Sequence, residues 1–187
     1  MAGRAHARRG IIATVTRDFN TGLTLIELIV ALTVLAIVAT AGIPSFLNLV
    51  DRHQLRGAAN ALYSDLLFAR MEAIHRQAPV SVSFQTDGAG GHWCHGLSDS
   101  GPCDCRAGDE CTLAGAPPRI TQGSDFRRVA LATNFTPAAT VTFHPARGTA
   151  NSGTTRLTTA AGAIDVVVSS LGRVRMCSTQ IPDFPPC

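Results

Sequence analysis

Lysine is missing altogether from this 187-residue chain, so all 16 basic residues are arginine. Aromatics are scarce as well, at 5% of the sequence, with one Trp and one Tyr, while Gly (17) and Pro (10) are plentiful. That balance excludes two full cores and points to one small, loop-rich, β-containing domain joined to something very apolar. No Ser-His-Asp spacing and no phosphate-binding glycine loop is present. His92 and His95 flank Trp93-Cys94, but in a cysteine-dense stretch where Cys94 is expected to be oxidised, and His53, His75 and His144 stand isolated. The expectation is a protein without catalysis, cofactor or metal.

Charge becomes informative once the chain is divided. Arg4, Arg8, Arg9 and Arg17 face only Asp18 in the first 22 residues, which accounts for the whole formal net charge of +3. From Leu23 onward, 12 Arg balance 12 acidic residues. The basic pI is therefore no argument for nucleic-acid binding; it marks a basic leader of the kind that stays on the cytoplasmic side of a membrane.

All six cysteines (Cys94, Cys103, Cys105, Cys111, Cys177 and Cys187) lie beyond the apolar segment. An even number in turn-rich sequence favours disulfides in an oxidising compartment. Zinc is the competing reading for the first four, but Cys103 and Cys105 are too close for the usual knuckle spacing. Six cysteines allow about 15 pairings, and the sequence does not choose among them. Cys177 and Cys187 are placed to close a tail loop.

Residues 23–43 read LTLIELIVALTVLAIVATAGI with Glu27 as the single charge. As a helix this run spans about 31 Å, enough to cross a hydrocarbon core. A cleaved secretory signal would have a shorter apolar core, and an ordinary anchor would not retain a carboxylate that costs roughly 2.5–3.5 kcal/mol on insertion scales. A charge kept at that depth suggests a partner that arrives later.

Gly22-Leu23-Thr24-Leu25-Ile26-Glu27 followed by the long apolar run resembles the type IV prepilin signature. Leu23 replaces the Phe usual in that family. The resemblance implies that a prepilin peptidase cuts after Gly22 and methylates the new N-terminus at Leu23. Glu27 would then meet the terminal amine of a neighbouring subunit, a pairing that makes a buried carboxylate tolerable. It also implies a single-pass inner-membrane protein with a periplasmic head, moved by the inner-membrane assembly platform into a fibre of other pilins or pseudopilins. Pro44 is expected to kink the helix rather than end it.

Beyond Pro44, Leu55, Ala58, Ala59, Leu62, Leu66, Ala69 and Ala73 recur at three- and four-residue steps, with Arg56, Asn60, Ser64, Arg70 and Glu72 opposite. Ala78-Pro79 stops the helix. Strands are expected at residues 80–85, 129–131, 141–144, 155–159 and 164–169, with residues 87–118 a cross-linked loop. The fold class is α+β: a long helix, apolar then amphipathic, packed on an antiparallel sheet. The organisation reads as a leader (1–22), an assembly helix (23–44), its amphipathic continuation (45–78) and a β-rich head (79–187).

The segments Ala69–Arg76 with Val80–Phe84, and Ile164–Cys177, are similar to the GspH/FimT branch of pilin-like proteins. That branch contains FimT-like minor pilins, some of which bind DNA in natural transformation, and minor pseudopilins of type II secretion. Gly172-Arg173-Val174-Arg175 matches the Gly-Arg-x-Arg stretch of the DNA-binding members. Extended backbone after a glycine turn would put Arg173 and Arg175 on one side, about 7 Å apart, suited to adjacent phosphates. Residues 112–187 carry seven Arg against three Asp, so the second half of the head is locally basic. Arg147 and Arg156 are secondary candidates, with Arg127 and Arg128 behind them. The competing reading makes the Arg pair the wet face of an edge strand.

Overall fold

The computed structural model describes residues 22, 24–87, 92–107 and 111–187. The expected leader before Gly22, and Leu23 itself, lie outside these residues. The chain divides into two compact units, Met1–Ala41 and Gly42–Cys187.

Helix α1 runs Leu25–Arg76. Its first turn is capped by Thr24, whose Oγ1 accepts from the Glu27 N–H at 3.3 Å while its carbonyl accepts from the Leu28 N–H. Thr24 thus caps the helix through its hydroxyl, and Glu27 lies in the first turn, where the helix dipole favours negative charge. The apolar stretch that follows is exposed, and its most apolar 18-residue window has a mean hydropathy of 2.4. Thr33 and Thr40 each return their hydroxyl hydrogen to a carbonyl three residues back, at 2.8 Å, so the run leaves little polar surface unsatisfied. By length and composition it can cross a membrane. The helix continues through Pro44, whose side chain lies outside the described residues.

In the second unit the expected stripe is fully buried: Leu55, Ala58, Ala59, Leu62, Leu66, Ala69 and Ala73 all have no exposed surface. Four alanines among seven positions let the backbone of the helix approach the sheets closely. The helix ends at Gln77, which takes a positive φ of 54° and donates its side-chain amide to the Ile74 carbonyl, before Pro79 prevents resumption.

Two four-stranded antiparallel sheets follow, where the sequence suggested one. The strands are β1 (Val80–Thr86), β2 (Trp93–Ser98), β3 (Ile120–Gln122), β4 (Ala130–Thr133), β5 (Thr140–Phe143), β6 (Gly153–Thr159), β7 (Gly162–Val168) and β8 (Val174–Cys177). The first sheet has the order β3-β2-β1-β5 and the second β4-β6-β7-β8. Val80, Val82 and Phe84 of β1, Val141 and Phe143 of β5, Leu157 of β6, and Ile164, Val166 and Val168 of β7 join the helix stripe in one core.

The loop expected over residues 87–118 is corrected: β2 lies inside it and is an inner strand of the first sheet, paired with β1 from Ser81↔Ser98 to Thr86↔Trp93. All six β2 residues are buried, so the alternation that marks a half-exposed strand is absent. On one face Trp93, His95 and Leu97 meet the core. On the other Cys94 joins a small cluster with Cys105 and Cys111. Gly96 makes this possible, because a Cβ there would come within 2.6 Å of the Cys111 Sγ. The disulfides are Cys94–Cys105, Cys103–Cys111 and Cys177–Cys187. The first two fasten the segment onto the outer face of β1 and β2, where the Cys103 N–H donates to Ser83 Oγ at 3.0 Å. The third closes the tail.

Candidate functional site

The β7–β8 turn carries the arginine pair. Its shape follows from Ser169 and Gly172: the Gly172 N–H donates to the Ser169 carbonyl at 2.8 Å, and the Arg173 N–H donates to Ser169 Oγ at 3.2 Å. Gly172 has φ +69° and a Cβ there would lie 1.7 Å from the Gly148 carbonyl oxygen, so both backbone angle and space demand glycine. From this turn Val174 and Cys177 point inward, while Arg173 and Arg175 are exposed. With Val167, Ser169 and Leu171 they line an open cleft of about 410 Å³. Strand β8 is the edge of its sheet, so the pair stands on a free border.

A second turn lies alongside. His144 donates its N–H to the Thr149 carbonyl, closing a turn that contains Arg147 and ends in Gly148 at φ +60°. The Ala150 N–H then donates to the Ser170 carbonyl at 3.1 Å, tying this turn to the one before Arg173. The turn that carries Arg147 therefore lies against the one that leads into Arg173.

Arg156 is not. It sits on β6 opposite Asp165 and holds both carboxylate oxygens at 2.7 Å. That hydrogen bonding, with the attraction of the carboxylate, raises its pKa, and its charge is already matched. Arg156, a secondary candidate as phosphate ligand, thus differs from Arg173 and Arg175 in having a carboxylate partner within the head.

Ion pairing separates the arginines into two groups. Of the twelve from Arg52 onward, six face a carboxylate: Arg56 with Asp183, Arg76 with Glu72 and Asp99, Arg106 with Asp87, Arg119 with Asp65, Arg128 with Asp51, and Arg156 with Asp165. Arg52, Arg70, Arg127, Arg147, Arg173 and Arg175 pair with no carboxylate among the described residues. Seven carboxylates of the head are engaged by the first set of arginines, and the arginines of the turns at Gly148 and Gly172 belong to the second.

At the other end of the sequence, Gly22 is exposed, and a Cβ there would meet none of the described residues within 4 Å. Glu27 is exposed and takes part in no ion pair among the described residues.

A second charged constellation escaped the sequence reading. Asp65 of α1 is only 6% exposed, and His95 of β2 not at all. His95 Nε2 lies 2.9 Å from Asp65 Oδ2, Thr121 Oγ1 donates to the same oxygen at 3.2 Å, and Arg119 Nε stands 3.2 Å from Oδ1. Burial by itself would raise the Asp65 pKa. The His95 hydrogen bond and charge, then Arg119 and Thr121, outweigh it and hold the carboxyl below its usual range. His95 stacks on Trp93, and its Nδ1 is buried without a partner. With no solvent access the dyad acts as a lock joining α1 to β2 and β3. The missed signal was spacing: an Asp at 65 falls next to Leu66 and three residues after Leu62, on the border of the buried stripe.

Comparisons with known proteins agree with this anatomy. The family of type II transport protein GspH matches residues 58–172, and the prokaryotic N-terminal methylation motif matches residues 18–43. Among solved structures the chain is similar to the type IV minor pilin FimU of Pseudomonas aeruginosa (strain PAO1), with 23% identity, a TM-score of 0.48, and coverage of 68% of this chain and 91% of that one. It is also similar to the minor pseudopilin EpsH of the type 2 secretion system of Vibrio cholerae, with 13% identity, a TM-score of 0.47, and coverage of 67% and 97%. Comparison with curated protein sequences gave no match.

Proposed function

The chain belongs to the GspH family of minor pilins and pseudopilins, and from that premise we propose that it is a fibre subunit whose head binds DNA through its phosphates. A prepilin peptidase removes the leader after Gly22 and methylates Leu23. The apolar part of α1 then holds the subunit in the inner membrane, head outward in the periplasm, until the assembly platform inserts it among other pilins, where Glu27 meets a neighbour's terminal amine.

The observation that carries the DNA reading is the contrast in pairing. Six arginines of the head are matched by carboxylates, whereas Arg147, Arg173 and Arg175, on neighbouring segments, pair with none among the described residues. Two exposed guanidinium groups at alternate positions of an edge strand suit successive phosphates, and binding of this kind is independent of base sequence and falls with salt. Such binding fits uptake of DNA in natural transformation.

The test is titration of a fluorescent duplex with the full chain in detergent at two salt concentrations. Arg173→Gln with Arg175→Gln is expected to weaken binding at least tenfold and to lower the salt slope by about 2, near 0.9 for each phosphate that is no longer neutralised. A folded double variant that binds like the parent would remove the proposal. The matched family favours the second reading, a pseudopilin of type II secretion whose head only contacts other subunits; a parent chain that binds no duplex at low salt selects it.

A further inference from the structure

Strands β7 and β8 bring different chemistry to the cleft that holds the arginine pair. Val166, Val168 and Val174 turn into the core, so Val167, Ser169 and Arg175 turn the other way. Val167 stands opposite Arg175, and the Ser169 N–H donates to the Arg173 carbonyl at 3.0 Å, which sets Ser169 opposite Arg173. Leu171 extends the β7 side from the tip of the hairpin. It is 72% exposed, more than any other large apolar side chain among the described residues of the second unit. The backbone beneath it is fixed: the Gly172 N–H closes the turn on the Ser169 carbonyl, and the Ala150 N–H holds the Ser170 carbonyl from outside. The open cleft of about 410 Å³ therefore has two walls. Arg173 and Arg175 make one cationic, while Val167 and Leu171 make the other apolar, with Ser169 between them.

We infer that the apolar wall reads the sugar: Val167 and Leu171 pack on deoxyribose while the arginines hold the phosphates, so the cleft takes DNA in preference to RNA. The inference rests on the DNA reading and adds to it the class of sugar. Alternate positions advance by about 7 Å on both strands, so apolar side chains and guanidinium groups repeat in step, as sugars and phosphates do along one nucleic-acid strand. Phosphates are alike in DNA and RNA, and the cationic wall does not distinguish them. The 2′ carbon does, because it carries only hydrogen in deoxyribose and a hydroxyl in ribose. A 2′-hydroxyl pressed on Val167 or Leu171 loses water and gains no partner, which lowers affinity about tenfold. Ser169 Oγ already accepts from the Arg173 N–H at 3.2 Å, and its own hydrogen is available to a phosphate oxygen.

The test sets a DNA duplex against an RNA duplex of matched sequence, with the full chain in detergent. The parent is expected to bind DNA about tenfold more tightly. Val167→Thr with Leu171→Ser puts hydroxyls on the wall, at a strand position that stays β-branched and at an exposed turn position. This variant should unfold at the parental temperature and reduce the preference to about twofold or less, chiefly by binding RNA better. Its salt slope on DNA should match the parent's, because no charge has changed. Leu171→Ser alone, at the exposed tip, should shift the preference the same way by a smaller factor. Arg173→Gln with Arg175→Gln should weaken both duplexes and lower both slopes. A parent that binds the two duplexes equally would overturn the sugar wall and leave the phosphate reading in place. A preference that persists unchanged in Val167→Thr with Leu171→Ser would belong to the different shapes of the two helices, and would overturn it as well. A parent that binds neither duplex removes both readings.

Discussion

Two of the four carboxylates on helix α1, Asp65 and Glu27, have surroundings that could hardly differ more. Asp65 is buried in the head and has a histidine, an arginine and a threonine within hydrogen-bonding or ion-pairing range. Glu27 stands in an apolar, exposed stretch where, among the described residues, its own helix terminus alone stabilises it. A buried charge with every partner supplied by its own chain serves folding. On the proposed function, a charge in apolar surroundings with no ion-pair partner among the described residues is completed by another molecule in the assembled state. The helix dipole explains why Glu27 suits a helix start, but not why the start is embedded in a long apolar run.

The comparison can be broken at Asp65 first, where the expected effect is largest. Asp65→Ala leaves His95, Arg119 and Thr121 without their common acceptor, and about 3 kcal/mol of head stability should go with it. Thermal or urea unfolding in detergent measures this, and Glu27→Ala in the same assay should unfold like the parent. Acid sharpens the contrast. The folded pKa of Asp65 is depressed, so its contribution is complete above the unfolded value near 3.8 and is lost as pH falls through the lower folded value. The parent should therefore lose stability steeply in that window, and Asp65→Asn should flatten the acid limb. The smallest effect belongs to an exposed pair. Arg156 is held by Asp165 on the wet face of the second sheet, so Arg156→Gln should leave both the unfolding temperature and duplex binding within error of the parent. A loss of duplex affinity in Arg156→Gln equal to that of Arg173→Gln with Arg175→Gln would erase the distinction between paired and unpaired arginines.

Much of this fold was legible because periodic burial leaves a periodic sequence. The stripe from Leu55 to Ala73 and strands β1, β5, β6 and β7 show it, each alternating or stepping as its element requires. Strand β2 failed that test for a physical reason: with both faces covered, Trp93-Cys-His-Gly-Leu-Ser98 has no polar face to alternate with. Its burial depends on cystines that arrive from residues 103–111 and on an aspartate 30 residues earlier, and neither is local. Disulfide pairing was hidden likewise, since it depends on which face of β2 each cysteine reaches. The Arg173 and Arg175 alternation was readable from a strand period of two. Arg70 lies opposite the stripe as expected, yet it is half-buried with its Nε covered, because a helical wheel shows only which way a side chain leaves its helix. The turns that close over it come from residues 148 and 172. Arg156 shows the converse limit: its partner Asp165 is found only when β6 and β7 are in register.

The account depends on Glu27 finding its partner in a second subunit. The most direct test compares parent and Glu27→Gln chains, produced at equal levels in the membrane, by quantifying each in purified fibres. Loss of the variant from the fibre by at least tenfold, with its head still folded, is the predicted result. Equal amounts of the two in the fibre would contradict it.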